Sequence, residues 1–178
     1  MKGVIFNSFE KFIIENFGED AFDGILEETP MKTKDPFVGP GTYPDSDLLG
    51  MVMTASDHLQ IPVEDAVKAF GKFLFGYLAA MTPKFVEIHD HPKDFLMTVE
   101  DVIHVEVRKL YDKAETPKFD YEELPENGLK IIYNSSRKMF TLMEGLIEGV
   151  GDYFGYEIEQ NFKQIGNSGH FSLAFSKR

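Results

Sequence analysis

Residues 118–134 read KFDYEELPENGLKIIYN, and they separate two parts of the chain that have different patterns. Two short runs with aromatic and β-branched residues, Lys118–Glu123 and residues 130–134, flank the sequence PENG. Asn-Gly between two such runs is a strong short-range signal for a β-hairpin. The stretch therefore predicts two antiparallel strands, and it marks the point at which a helical pattern gives way to a sheet.

Upstream of this hairpin, apolar residues recur at helical spacing, which predicts a helical first part. The expected helices cover residues 3–17, 20–28, a segment that starts at Pro44-Asp45-Ser46-Asp47, residues 63–81 after Pro62, and residues 92 to about Asp112. We expect the helix 63–81 to be mostly buried, and residues 29–43, rich in Pro and Gly, to form a loop. The last helix has His104 at the edge of an apolar stripe made of Phe95, Val99, Ile103, Val107 and Leu110.

Downstream of the hairpin, residues 138–154 return to a helical pattern. The segments YEIEQNFKQ (156–164) and HFSLAFSKR (170–178) then alternate around GNSG (166–169), which predicts a closing hairpin. Helices followed by β-β-α-β-β are typical of an α+β fold. We expect one domain, residues 1–178, with an N-terminal helical part packed on a C-terminal part that has helices and a small antiparallel four-stranded sheet.

The composition argues against several functional classes. A net charge of −12 disfavours binding to nucleic acid and to anionic membrane surfaces. The absence of Cys removes disulfides, thiolate catalysis and thiolate metal ligands. No apolar run is long enough to span a bilayer, and the N-terminal segment lacks the apolar region of a signal peptide. We therefore expect a cytoplasmic protein.

Two groups of residues indicate a bound ligand. Tyr133, Ser135 and Arg137 form a Y-x-S-x-R string, in which a guanidinium fork and two hydroxyls suit a dianionic ligand edge. His104, in the middle of a helix, can hold a metal. A macrocycle with acidic substituents and a central metal would use both groups, and haem is the obvious candidate. The alternatives are a structural helix histidine, a surface arginine, and serines that cap the following helix.

The two groups, in this order, resemble the haem-nitric oxide/oxygen binding family (H-NOX), the sensor domain also found in soluble guanylate cyclase. The resemblance covers nearly the whole chain and is closest to bacterial stand-alone members. Its further segments are MKGVIFNSFEKFI (1–13), AFGKFLF (69–75), the helix of His104 with the proline after it, and MEGLIEGVGDYFG (143–155). Gly71 either lets its helix approach the haem closely or is simply tolerated there.

The resemblance implies roles for these residues. His104 would be the proximal ligand of the iron, and Tyr133, Ser135 and Arg137 would bind the two propionates. Pro117 would press against the ring and distort it. The distal pocket would be lined by Ile5, Phe9, Leu74 and Leu142. The cofactor would be haem b, held without covalent attachment because the chain has no Cys, and it would lie between the helical and the sheet-bearing parts.

The expected selectivity for gases depends mainly on the residue at position 142, which is Leu142. Some family members carry a tyrosine nine residues after the motif tyrosine, and it donates a hydrogen bond to bound oxygen; here that position is Leu142. A second position that is polar in such members is Leu74. Bound dioxygen gains more from a donor than nitric oxide or carbon monoxide does. We therefore expect binding of nitric oxide and carbon monoxide and exclusion of dioxygen, although Tyr153 leaves a displaced donor open.

The function that the resemblance implies is a gas sensor without enzymatic activity. Nitric oxide would release His104 from the iron, and the output would pass to a separate histidine kinase, diguanylate cyclase or phosphodiesterase. We expect a monomer. The alternatives are an oxygen-binding haem sensor, a gas carrier, a haem peroxidase or oxygenase, and a haem-free adaptor. A peroxidase needs a polar acid–base pair in the distal pocket, which the apolar residues expected there do not supply.

Overall fold

The computed structural model describes residues 1–33, 36–111 and 114–178. Its α-helices are α1 (Gly3–Phe17), α2 (Glu19–Glu28), α3 (Asp45–Leu59), α4 (Val63–Met81), α5 (Pro92–Thr98), α6 (His104–Leu110) and α7 (Phe140–Phe154). Its strands are β1 (Lys118–Glu123), β2 (Leu129–Asn134), β3 (Tyr156–Ile165) and β4 (Ser168–Lys177). The expected order of helices followed by β-β-α-β-β is confirmed. In these three ranges, no helix is both long and apolar enough to cross a membrane.

The four strands form one antiparallel sheet in the order β1-β2-β4-β3. Glu126 and Asn127 connect β1 to β2 with φ angles of 56° and 61°, the left-handed pair that a type I′ hairpin turn requires. On β2, residues alternate between buried and half-buried positions, so one face of the strand packs into the core. The α+β fold class and the PENG turn are therefore confirmed.

Two hydrophobic clusters fill the interior. The helix cluster is built on α1 to α4; its buried members include Phe6, Phe9, Ile13, Met51, Phe70 and Leu74. The sheet cluster joins the sheet to α5 and α7; its buried members include Phe95, Phe119, Leu129, Tyr133, Met143, Ile147 and Phe171. Leu146 of α7 packs against both clusters, so α7 runs along the boundary between them.

Helix α4 packs on α7 with their backbones in contact. A Cβ atom on Gly71 would clash with the carbonyl oxygen of Leu142, and one on Gly145 would clash with the carbonyl oxygen of Lys68. The absence of a side chain at Gly71 therefore allows α4 to pack closely on α7. The sequence analysis considered only a close approach to the haem or a tolerated glycine at this position. Only one face of α4 is buried, so the expectation of a mostly buried helix is wrong.

The helix expected from residue 92 to about Asp112 is interrupted. Between α5 and α6 lies a π-helical turn, Val99–Ile103, and α6 ends at Leu110; Asp112 is outside the described residues. A π-turn inserts extra backbone into a helix and shifts the direction of the side chains that follow. Leu110, the last residue of the expected apolar stripe, is 70% exposed, so the stripe is not buried at this end. The interruption falls immediately before His104.

The start of α7 also differs from the expectation by two residues. Lys138 has a φ angle of 47°, in the left-handed region that an α-helix excludes, so the helix begins at Phe140 instead of at residue 138.

Candidate functional site

His104 is the first residue of α6, and its side chain is 13% exposed. The ring packs against Phe119 of the sheet cluster, with ring centroids 5.1 Å apart. Its Nδ1 atom lies 3.1 Å from Oε2 of Glu100. Burial lowers the pKa of His104 below its usual value, although Glu100 and the carbonyl of Pro117 oppose that effect. The imidazole is therefore neutral near pH 7, the form in which a ring nitrogen can bind a metal.

Glu100 is a member of the site that the sequence analysis missed. Its carboxylate also accepts a hydrogen bond of 3.2 Å from the Phe119 backbone N–H and lies 3.6 Å from Nη2 of Arg108. Burial alone would raise the pKa of Glu100, but the hydrogen bonds from His104 and Phe119 outweigh it and lower the pKa. The four-residue spacing to His104 on one helix was the available signal, since such pairs share a helix face.

Tyr133 and His104 lie on the same cluster. Tyr133 is buried on β2, and its ring packs between Phe119 and Phe140 at centroid distances of 5.7 and 5.6 Å. Ser135 follows β2, and its Oγ accepts a hydrogen bond of 3.2 Å from the backbone N–H of Arg137. Phe119 thus contacts both the candidate iron ligand and the motif tyrosine.

Arg137 binds two carboxylates. Its Nε donates to Oδ2 of Asp45 at 2.5 Å, and its Nη2 donates to Oε2 of Glu115 at 3.0 Å. The hydrogen bond with Asp45 raises the pKa of Arg137. A haem propionate is also a carboxylate. The guanidinium of Arg137 therefore already binds the kind of group that the Y-x-S-x-R motif is expected to bind.

Asp45 is a second residue that the sequence analysis missed as part of the site. Besides Arg137, it binds the N-terminal ammonium of Met1 at 2.6 Å. Burial alone would raise the pKa of Asp45, but the hydrogen bonds from Arg137 and Met1 outweigh it and lower the pKa. Asp45 and Arg137 are 92 residues apart, and no local pattern connects them.

The four distal candidates lie together in the helix cluster. Phe9 and Leu74 are buried, and Ile5 and Leu142 pack against the cluster while partly exposed. A buried hydroxyl in α1, Ser8, donates to the carbonyl of Ile5 at 2.7 Å. These residues therefore form an apolar group on the opposite cluster from His104.

Tyr153, the residue left open as a displaced donor, is 47% exposed and packs its ring on Phe75 and Phe154 at the far end of α7. It is about three helical turns from Leu142. Tyr43 packs on the helix cluster, but its hydroxyl accepts a hydrogen bond of 2.8 Å from the backbone N–H of Val38.

The other histidines have different surroundings from His104. The Nδ1 atom of His91 accepts the backbone N–H of Lys93 and caps α5, and its ring packs on Tyr156. His58 lies 3.6 Å from Glu28, and His170 is on β4. In the described part of the chain, no three acidic, His or Cys side chains cluster in a way that could hold a metal.

The donor set fits a haem. The site supplies one neutral imidazole, one guanidinium fork, two hydroxyls and apolar walls, which match an iron, two carboxylates and a flat apolar ring. The proximal candidates lie with the sheet cluster and the distal candidates with the helix cluster. Pro117, between α6 and β1, is half-buried and has its carbonyl near His104.

Comparisons with known proteins agree with this fit. The family model for haem-NO-binding proteins matches residues 2–161. An H-NOX protein from S. oneidensis in the Fe(II)NO ligation state superposes with a TM-score of 0.91 and 30% identity, over 99% of this chain and 100% of that one. An H-NOX domain of Shewanella oneidensis in the Fe(II)CO ligation state has a TM-score of 0.90 and 30% identity, over 100% of both chains.

The chain is also 25% identical, over 162 residues, to the soluble guanylate cyclase gcy-32 of Caenorhabditis elegans. The match takes in 84% of this chain but only 22% of the cyclase, so the chain spans about a fifth of the length of that curated relative. The family model, the superposed structures and the site geometry agree: the chain belongs to the haem-NO-binding (H-NOX) family of haem-based gas sensor domains.

Proposed function

We propose that this protein is a nitric oxide sensor that holds haem b through His104. The observation that carries the proposal is the division of the site: a neutral buried imidazole lies on the sheet cluster, and an entirely apolar group of candidates lies on the helix cluster. Ferrous haem supplies the iron at which the gas binds. His104 would bind that iron through Nε2, since Nδ1 is engaged by Glu100.

The motif residues would orient the cofactor. Arg137 would hold the propionates together with the hydroxyls of Tyr133 and Ser135, and Pro117 would press on the ring. The carboxylate partners of Arg137, Asp45 and Glu115, support this role because the guanidinium already donates hydrogen bonds to groups of the same chemistry.

We infer gas selectivity from the distal group. Ile5, Phe9, Leu74 and Leu142 offer no side-chain donor, and the nearby Ser8 hydroxyl is used by a backbone carbonyl. A missing donor would cost bound dioxygen about 1–3 kcal/mol, roughly ten- to a hundredfold in affinity. Nitric oxide and carbon monoxide would therefore bind, and dioxygen would be excluded.

The output would start with release of His104 from the iron, which would free the π-turn and α6. We propose that a separate partner reads this change, either a histidine kinase or a diguanylate cyclase or phosphodiesterase, and that the protein is a cytoplasmic monomer with no catalytic activity of its own. The kinship with a guanylate cyclase supports a role in signalling. An oxygen-binding haem sensor or a gas carrier is the second candidate, favoured only if a donor reaches the distal side.

The test is an absorption spectrum of the anaerobic ferrous protein, taken alone, with nitric oxide, and in air. We expect a Soret band that shifts with nitric oxide and does not shift in air. A shift in air that reverses when oxygen is removed would replace the proposal with the oxygen-binding candidate, because oxidation of the iron does not reverse in that way. A protein that acquires no Soret band after reconstitution with haem would refute haem-based sensing altogether.

A further inference from the structure

The pair formed by Glu100 and His104 lies at the centre of the site. We propose that Glu100 is a positioning residue that fixes the tautomer, orientation and basicity of His104; the part of this inference that concerns iron rests on the proposed function. The carboxylate is 3.1 Å from Nδ1 of His104, and both side chains are largely buried, at 15% and 13% exposure.

The tautomer follows from the chemistry of the pair. An ionised carboxylate can only accept hydrogen bonds, so the proton of a neutral His104 must be on Nδ1. The lone pair is then on Nε2, the nitrogen that remains for the iron. A ligand histidine that donates its other N–H to a carboxylate is held in one orientation and becomes a more basic ligand.

Glu100 is itself held in place from two other directions. The Phe119 backbone N–H donates to its Oε2 at 3.2 Å, and Arg108 lies 3.6 Å from its Oε1. Since Oε2 contacts both β1 and His104, this one oxygen connects the sheet to α6. A carboxylate that is fixed by the sheet can resist rotation of the imidazole, whereas a freely moving one could not.

The π-turn explains how Glu100 reaches this position. Val99–Ile103 contains Glu100 and ends immediately before His104, whose backbone N–H bonds to the carbonyl of Val99. Inserted turns of this kind are frequent at functional sites. The adjacent residue Asp101 is exposed, which makes it a matched control for the same change of charge on the same turn.

The first experiment uses the haem-free protein, so it does not depend on cofactor binding. Nitrogen NMR of the imidazole, at a mildly alkaline pH, reports which ring nitrogen carries the proton. We expect one Nδ1–H tautomer in the parent and in Asp101→Asn, and a mixture of tautomers in Glu100→Ala. A parent already in a mixture, or an unchanged Nδ1–H tautomer in Glu100→Ala, would overturn the proposal.

The second experiment uses the haem-loaded protein and reads the iron–histidine stretching band by resonance Raman spectroscopy. We expect a lower frequency in Glu100→Gln, a still lower one in Glu100→Ala, and the parent value in Asp101→Asn. Haem retention should fall about tenfold to a hundredfold in Glu100→Ala. If the parent retains haem and the band does not move in Glu100→Ala, the positioning role is refuted. A parent that binds no haem refutes the proposed function, while the tautomer experiment still decides the role of Glu100.

Discussion

At the scale of single residues, the charges of the candidate site are balanced by partners that mostly come from other elements. Glu100 accepts from His104 on the next helix and from Phe119 on β1. Arg137 is bound by Asp45 at the start of α3. Each of these ions keeps its charge because a buried or half-buried charge is stable only when it is paired.

Replacing Leu142 by Tyr should introduce the missing distal donor. We expect oxygen affinity to rise by about ten- to a hundredfold, because a hydroxyl would stabilise the partial negative charge on bound dioxygen. The measurement is the spectrum of the ferrous variant in air. Leu142→Phe is the matched control, since it adds the ring without the hydroxyl. If the Tyr and Phe variants behave alike, position 142 does not control selectivity.

Replacing Asp45 by Asn should lower the free energy of unfolding of the haem-free protein by about 1–2 kcal/mol at pH 7. This range is already reduced because the ion pair of Asp45 with Arg137 is partly exposed. The pKa of Asp45 is lowered on folding, so its contribution to stability is present above the unfolded value of about 3.9 and is lost as pH falls through the folded value. Urea unfolding of parent and variant should therefore differ at pH 7 and converge in acid.

The exposed carboxylate Asp23 on α2 is the control for that experiment, and Asp23→Asn should unfold like the parent at both pH values. If the parent and Asp45→Asn still differed by the same free energy of unfolding in acid, the ionised carboxylate of Asp45 would not be the cause of the difference.

At the scale of elements, the contact between α4 and α7 positions the candidate site. Leu74 is on α4 and Leu142 is on α7, so the spacing of these helices sets the width of the distal group. That spacing depends on Gly71 and Gly145, at which the helix backbones meet. A side chain at either position would push the helices apart.

Gly145→Ala should therefore lower the free energy of unfolding by about 1–3 kcal/mol, the usual cost of overpacking. The control is Gly76→Ala on the exposed face of α4, where a Cβ would meet nothing within 4 Å. Alanine has the higher helix propensity, so this control should gain about 0.5–1 kcal/mol. Chemical denaturation measures both. If Gly145→Ala left the free energy of unfolding unchanged, the two helices would be able to move apart at little cost.

At the scale of the whole molecule, the sheet and helix clusters meet along α7, and the proposed cofactor would lie between them. A ligand that contacts both clusters should stabilise the molecule as a unit, since binding to the folded state alone raises stability by mass action. His104 would contribute through the iron, while Arg137 would contribute through the propionates.

A pair of macrocycles separates these contributions. Haem at one hundred times its dissociation constant should stabilise the parent by about 2.7 kcal/mol. His104→Ala should lose much of the stabilisation by haem and none of that by metal-free protoporphyrin, which has the same propionates. Arg137→Gln should lose part of the stabilisation that each of the two ligands adds to the ligand-free variant. The readout is the urea midpoint. Equal losses of His104→Ala with both macrocycles would show that His104 acts by packing and not as an iron ligand.

Local patterns in the sequence were enough for the element order, the PENG hairpin and the closing hairpin, because helical periodicity and turn residues act over a few positions. Short motifs also identified His104 and Y-x-S-x-R as candidates and led to the correct family. The sequence analysis placed the helix ends within about two residues, except where the helix from residue 92 was interrupted. These features depend on neighbours in the chain, which any sequence displays directly.

The tertiary structure alone decided the rest. The π-turn at Val99–Ile103 brings Glu100 to the backbone of β1, and that contact does not show in the periodicity of one helix. Asp45 meets Arg137 across 92 residues, and Gly71 meets the backbone of α7. The physical reason is common to all three: each depends on the packing of elements far apart in the chain. Packing of that kind can override the local preferences on which sequence reasoning relies.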